Sequence, residues 1–267
     1  MVSIIVTTYN RELYLEKCLK SILSQSFTDF SVIVVSDGYF EGTELLINSI
    51  NDDRIKLISN IHSGLPAVSR NIGLKYVKSK YVCFCDDDDM WHEDKLALQL
   101  DFIEKNNFDV IFTDVSLINS IDIGISNNNS RLINKYNSFL INSRKGLFFK
   151  NFICLSSALL RADITKNINF NESVEYRGTE DYLFWLELLI NNSNFHFLDI
   201  KLVNYRIHEN NLSKNRKHAY LRTLSILKYL SIKYPNYKSS LKISCFFYNV
   251  KKYFLQFYNF RNINNIF

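Results

Sequence analysis

Four consecutive carboxylates, Asp86-Asp87-Asp88-Asp89, separate the apolar run Tyr81–Cys85 from Met90-Trp91. Adjacent like charges repel, and a block of this kind ordinarily belongs to a solvated tail. Here it interrupts an ordered stretch, so it has to meet positive charge. Carboxylate oxygens suit a hard divalent ion such as Mg²⁺ or Mn²⁺, which takes one or two ligands from protein and fills its other positions with water and phosphate. The plainer alternative is a solvated acidic turn capping a helix that begins near Glu93. A second acidic pair, Glu180-Asp181, precedes the apolar run Tyr182–Ile190. Complementing a helix dipole needs only one acid, so the pair leaves a carboxylate for proton transfer. Tyr205-Arg206-Ile207-His208 closes a strand-like stretch, and its imidazole is either a ligand or an ordinary loop side chain.

These groups must be positioned by regular elements, and the first half of the chain alternates them. Ser3–Tyr9 (SIIVTTY), Phe30–Ser36 (FSVIVVS), Arg54–Ser59 (RIKLIS), Tyr81–Cys85 and Asp109–Val115 are short apolar runs of the kind buried parallel strands show. Between them, Leu15, Cys18, Leu19 and Ile22 follow helical spacing, and Glu44–Asn51, Pro66–Val77 and Glu93–Asn106 read as helices. Pro66 sits in a first turn, where its missing N–H costs nothing. This βαβαβαβ order predicts an α/β fold with a mostly parallel, helix-flanked sheet. Ligands of such sheets bind beyond the carboxyl ends of the strands. Thr7-Thr8-Tyr9, Asp37-Gly38 and the aspartate run all fall at those ends. Farther on, Asn119–Asn137 reads as a long loop, Phe148–Leu160 as apolar, Asp181–Asn191 as a helix and Phe195–His208 as strand-like.

Composition narrows the class. With 267 residues, 47% hydrophobic and 15% aromatic, the chain has enough apolar surface for a packed core. Met1-Val2-Ser3 runs straight into a strand without the basic region and cleavage site of a signal peptide. No apolar stretch reaches the roughly 18–20 residues that span a bilayer. Five scattered cysteines argue against a disulfide framework and for a reducing cytoplasm. Cys83 and Cys85 share a strand face, lack a second pair to complete a zinc site, and read as structural. From residue 210 onward there are 11 Lys and Arg and no Asp or Glu, against 21 basic and 27 acidic residues before it. That basic segment carries Leu221, Leu224, Ile226, Leu227 and Leu230, then Phe246-Phe247-Tyr248, Lys251-Lys252-Tyr253-Phe254 and Phe257-Tyr258. Its composition suits either an interfacial helix on anionic lipid or a helical unit packed on the body. The acidic body argues against nucleic acid as a partner. Tyr9-Asn10-Arg11 after the first strand, with no G-x-G-x-x-G, argues against a dinucleotide-binding dehydrogenase.

Five segments in order resemble the inverting glycosyltransferase family 2, of GT-A fold. They are Ser3-Ile4-Ile5-Val6-Thr7-Thr8-Tyr9-Asn10, Val34-Val35-Ser36-Asp37-Gly38, Ser69-Arg70-Asn71-Ile72-Gly73, Asp86-Asp87-Asp88-Asp89-Met90-Trp91 and Thr179-Glu180-Asp181-Tyr182-Leu183-Phe184-Trp185. The resemblance covers roughly residues 1–210 and departs mildly at Ser36, where the family often has an acid. It implies a domain over 1–212, divided into a nucleotide-sugar half (1–115) and an acceptor half (116–212), followed by a basic helical segment over 213–267. By its D-x-D pattern, Asp88 is the first metal ligand and Asp86 the second, with Asp86 alternatively touching the ribose or acting through water. Asp86 and Asp87 count with the nucleotide contacts, although strand alternation turns Asp87 to the opposite side. Thr7, Tyr9 and Asp37 would hold base and ribose, Arg70 would reach phosphate or base, and His208 would approach the diphosphate or metal. The general base falls on Asp181, with Glu180 as alternate, while Trp185 reads as core. The resemblance implies Mn²⁺ or Mg²⁺, a UDP-hexose donor and a saccharide or undecaprenyl-linked acceptor. The setting would be bacterial O-antigen, capsule or lipooligosaccharide synthesis, on the cytoplasmic face of the inner membrane. Two other readings are a catalytically silent homologue serving as a binding module and a metal-dependent nucleotidyltransferase, whose P–P chemistry needs no late acidic base.

Overall fold

The computed structural model describes residues 1–125, 146–209 and 216–246. The elements β1 (Val2–Thr8), α1 (Glu12–Leu23), β2 (Phe30–Ser36), α2 (Glu41–Ile50), β3 (Ile55–Ser59), α3 (Pro66–Leu74) and β4 (Tyr81–Asp86) alternate as the sequence predicts. They are followed by β5 (Met90–Trp91), α4 (Lys95–Lys105), β6 (Val110–Ile118), β7 (Leu159–Arg161), α5 (Glu180–Ile190), β8 (Phe195–Arg206) and α6 (Arg216–Lys233). The described strands form one sheet in the order β3-β2-β1-β4-β7-β6-β8-β5. β1 pairs in parallel with β2 and β4, β2 with β3, and β6 with β8. The short β7 lies antiparallel between β4 and β6, and the two-residue β5 runs antiparallel to the end of β8. The result is a mostly parallel α/β sheet, as expected.

Strand alternation divides the apolar residues between two layers. Val2, Ile4 and Val6 of β1 and Cys83 and Cys85 of β4 face the layer of Leu15, Cys18, Leu19, Ile22, Leu96 and Ile103. Ile5, Val82 and Phe84 face the opposite layer, which includes Ala67 of α3 and Leu183, Trp185 and Leu188 of α5. α3 lies very close to β1, since a Cβ on Gly73 would come within 2.5 Å of Ile5 Cγ2. All five cysteines are free thiols, and Trp185 is fully buried, in keeping with a core role.

Several boundaries differ from expectation for local reasons. α3 ends at Leu74 rather than Val77 because Lys75, Tyr76 and Val77 donate to carbonyls three residues back, tightening the last turn. α2 begins earlier than expected, at Glu41, where Thr43 Oγ1 donates to Glu12 Oε1 of α1 at 2.9 Å. β6 continues to Ile118, and residues 119–125 fold back on it, with Ile125 N donating to Leu117 O at 2.9 Å. The rest of the predicted loop, from 126 to 137, lies outside the described residues. So do Phe247–Tyr258 of the basic segment.

The earlier part of that segment packs on the body. Ile226, Leu227, Leu230 and Leu241 are fully buried in the same layer as α5, so these leucines and this isoleucine serve the core rather than a lipid face. Leu221 and Ile232 remain exposed on α6. Among the described residues no helix is long and apolar enough to cross a membrane.

Candidate active site

The aspartate run is held by partners drawn from several elements, with Arg11 shared by two of the carboxylates. Asp86, the last residue of β4, accepts from Arg70 Nη2 at 2.9 Å. Asp87 turns to the other side of the strand, as alternation predicts, and accepts from Thr8 Oγ1 at 2.7 Å and Arg11 Nη1 at 3.3 Å. Asp88 Oδ2 lies 3.1 Å from the same Arg11 nitrogen and 2.8 Å from His208 Nε2. Asp89 is fully buried and accepts from the Arg206 backbone N–H at 3.0 Å and from Ser156 Oγ at 2.5 Å. The Arg206 guanidinium donates to the Asp88 carbonyl at 2.8 Å and lies over the Tyr14 ring, which in turn stacks on His208. Burial pushes the Asp87 carboxyl up to about 7, with the neighbouring Asp88 charge adding to the effect. Burial pushes Asp89 well above the usual carboxylate range as well.

Tyr9 and Asp37 meet at the adjacent strand ends, with Thr7 in register between Val35 and Asp86. Tyr9 is half exposed and its ring edge meets Phe40. Asp37 is buried and anchors the segment 62–64: Oδ1 accepts from Ser63 N at 2.7 Å, and Oδ2 from Gly64 N at 2.8 Å.

Arg70 connects this edge to α5. It is buried, at 5% exposed. Its Nη1 donates to Glu180 Oε1 at 2.6 Å while Nη2 holds Asp86. Burial pulls its pKa down, yet Asp86 and Glu180 together leave it above the ordinary arginine value. Glu180 is therefore committed to an ion pair. Its neighbour Asp181 accepts from its helix neighbour Tyr182 N at 2.7 Å and, more loosely, from Asn151 Nδ2 at 3.2 Å. Burial and the negative Glu180 push the Asp181 carboxyl up to about 7, against the lowering effect of Arg70. A carboxyl poised there can take a proton near neutral pH.

Among the described residues no group of three or more His, Cys, Asp or Glu side chains is arranged to hold a metal. Asp86 is turned to Arg70, so Asp86, Asp88 and His208 do not form a three-ligand cage. Asp88 and His208 bond one another at 2.8 Å, and both are side-chain types that can ligate Mn²⁺ or Mg²⁺, so they are the pair that would hold such an ion. Sequence reasoning did not single out Thr8, Arg11, Tyr14, Asn151 or Ser156, and noted Arg206 only as part of Tyr205–His208. Nothing local marks the first five, because their partners lie far along the chain.

Residues 3–168 match the family model described as glycosyl transferase family 2. The chain belongs to that family. Two Escherichia coli proteins, WfgD and WfaP, are each 28% identical to it, over 81% of both chains and over 93% of this chain and 92% of the relative, respectively. Both are named UDP-Glc:alpha-D-GlcNAc-diphosphoundecaprenol beta-1,3-glucosyltransferase. The fold resembles Staphylococcus aureus TarS 1-349 in complex with UDP-GlcNAc, with a TM-score of 0.68 and 24% identity over 86% of this chain and 66% of that one. It also resembles the Pyrobaculum calidifontis mannosyltransferase PcManGT in complex with GDP-Man and Mn²⁺, with a TM-score of 0.69 and 14% identity over 92% and 69%. The glycosyltransferase spans 39% of the longer TarS chain. Family membership sets the nucleotidyltransferase reading aside.

The Arg70 bridge is a buried ion pair, so breaking it should be costly. Arg70→Met should leave the buried Glu180 without its partner and lower stability by about 3–5 kcal/mol at pH 8. Urea unfolding measures this; a loss under about 1 kcal/mol would rank the bridge with ordinary surface pairs.

Proposed function

We propose that this chain transfers a hexose from a UDP-sugar to a hydroxyl of a lipid-linked saccharide, with inversion at the sugar C1, during assembly of a bacterial surface polysaccharide. The observation that carries the reading is the Arg70 bridge. One guanidinium joins Asp86 on the nucleotide side to Glu180, next to a buried carboxyl poised near neutrality. The names of WfgD and WfaP support a UDP-glucose donor and a diphosphoundecaprenol-linked acceptor.

In this reading Tyr9 offers a ring face to the base, Asp37 an acceptor to its N–H, and Thr7 lies beside the ribose. Asp86 and Asp87 border the nucleotide, and Arg11 and Arg70 bring positive charge toward the diphosphate. Asp181 takes the proton of the acceptor hydroxyl as that oxygen attacks C1 from the face opposite the diphosphate. The new C1–O bond forms as the bond to the diphosphate breaks, and UDP departs with its electron pair. Mn²⁺ or Mg²⁺, held by Asp88 and His208, would supply Lewis-acid neutralisation of the leaving diphosphate. Glu180 points to the Arg70 guanidinium at 2.6 Å instead of to the acceptor.

The surface of α6 and the segment after it suits an anionic membrane, where a lipid-linked acceptor would reside. Leu221 and Ile232 are exposed on α6 together with Lys228, and Lys238, Lys242, Ile243 and Phe246 are exposed beyond it. From residue 210 onward there is no acidic side chain to oppose such binding. That surface would keep the enzyme peripheral on the cytoplasmic face.

Asp181→Asn should leave UDP affinity unchanged while transfer falls by about 10²- to 10⁴-fold. The carboxyl is protonated and inactive below its pKa, so kcat/KM should rise with pH through about 7. A profile flat over roughly two pH units either side of that value would exclude Asp181 as the base. Asp88→Asn should abolish the Mn²⁺-dependent part of UDP binding by calorimetry and leave uridine binding intact. Equal Mn²⁺ dependence in wild type and variant would remove Asp88 from the metal site. Truncating the basic segment would open the core, so surface variants test the membrane contact. Lys228→Glu with Ile232→Glu should reduce cosedimentation with phosphatidylglycerol vesicles, and undiminished binding would exclude this face.

A further inference from the structure

His62 makes both contacts that a nucleotide base would make in the Tyr9–Asp37 pocket. Its ring stacks on Tyr9 with centroids 4.4 Å apart and planes 25° from parallel. Its Nδ1 lies 3.1 Å from Asp37 Oδ2 and 2.9 Å from the Asp37 carbonyl oxygen. Both partners are acceptors, so the imidazole must carry its proton on Nδ1 to bond them. We propose that His62 is a displaceable plug of the base site, which must swing out before the base of a nucleoside diphosphate can stack on Tyr9 and donate to Asp37. This rests on the reading of Tyr9 and Asp37 as the base site.

Counting acceptor positions on Asp37 identifies His62 as the group that must yield. An ionised carboxylate offers about four lone-pair positions. Oδ1 takes Ser63 N at 2.7 Å and Ser63 Oγ at 2.9 Å, Oδ2 takes Gly64 N at 2.8 Å, and the His62 Nδ1–H, bonded to the Asp37 carbonyl oxygen at 2.9 Å, stands 3.1 Å from Oδ2 and covers its remaining position. A further N–H therefore reaches Oδ2 only if one of these groups moves. The two backbone donors are fixed by the turn, whose Gly64 has φ +69°. Ser63 Oγ is also held, because it accepts from Leu65 N at 3.1 Å. The His62 side chain is 52% exposed and moves by rotating its own torsions. It is the donor with least to lose. Nor can Tyr9 retreat to make room, since Phe40 abuts its ring edge at 5.3 Å. Phe40 is itself confined, as a Cβ on Gly38 would meet its ring at 2.6 Å.

The incoming base that best replaces the plug is a flat ring with an N–H on its edge, as in uracil. It restores the stack and the hydrogen bond together, so displacement loses no contact that binding does not return. A base presenting a bare ring acceptor there would face the carboxylate with like polarity. Asp37 as acceptor thus favours a uracil-like edge, while the plug lowers apparent affinity for every ligand of this pocket.

The test is calorimetric titration of UDP, uridine and inorganic diphosphate, each with Mn²⁺, into wild type and His62→Ala. Freed from a competing hydrogen bond and stack, the variant should bind UDP and uridine about three- to tenfold more tightly, with diphosphate affinity unchanged. Weaker UDP binding in the variant would mean that His62 supports the bound base, and unchanged binding would mean that it does not obstruct the pocket. Either result overturns the proposal. Tyr9→Ala separates failure of the plug from failure of the site: if it leaves uridine affinity intact, the base lies elsewhere and both ideas fall. If it lowers uridine affinity, the sign of the His62→Ala effect decides the plug alone.

Discussion

The site depends on relieving the repulsion of four carboxylates joined in sequence at the end of a central strand. The backbone accomplishes the first part. Strand alternation sends Asp86 and Asp87 to opposite sides, and a turn in which Asp89 N donates to Asp86 O redirects the next two. Arginines from different parts of the chain do the rest: Arg11, from just before α1, and Arg70, from α3, pair with the carboxylates, while Arg206, at the end of β8, gives its backbone N–H to Asp89 and its guanidinium to the Asp88 carbonyl. Three elements are thereby tied to one strand end by contacts that also shape the site. The arrangement leaves residual strain, visible in the raised pKa values of Asp87 and Asp89, where burial penalises the charged form.

Sheet order explains how distant segments reach that point. β1 lies between β2 and β4, so Tyr9, Asp37 and Asp86 emerge at neighbouring strand ends. β8 runs parallel to β6, and its carboxyl end carries Arg206 and then His208 toward the aspartates. The antiparallel β7 joins the two parallel groups, and the turn preceding it presents Ser156 to both the Asp86 N–H and Asp89. A short strand of reversed direction is thus what brings the second half of the chain to the first.

Much of this was legible in the sequence. The β-branched runs at β1 and β2 and the helical spacing of Leu15, Cys18, Leu19 and Ile22 gave the alternation, because burial on both faces selects such residues. The aspartates, Asp37 and the Glu180-Asp181 pair stood out by type alone. Their partners did not, since Arg11 and Asp88 are 77 residues apart, Arg70 and Glu180 110, and His208 and Asp88 120. β5 and β7 have two and three residues, too few to show a period. The basic segment was ambiguous for a different reason. Helical spacing of leucines is the same whether they meet lipid or a protein core, and only the packing of Ile226, Leu227 and Leu230 distinguishes the two.

Residue type alone does not divide Glu180 from Asp181, because adjacent acids at a helix start look alike, and only the family resemblance put the base on Asp181 with Glu180 as alternate. Their surroundings separate them. Glu180 faces the Arg70 guanidinium at 2.6 Å and is held in that ion pair. Asp181 is buried beside that same negative charge and receives only part of the influence of Arg70, which leaves its carboxyl near neutrality. Glu180 thus raises the basicity of its neighbour while Arg70 limits the rise. Since Arg70 also holds Asp86, the group that tunes Asp181 is bonded equally to the end of β4. Two adjacent acids and one arginine can therefore set a proton acceptor at working pH without a histidine.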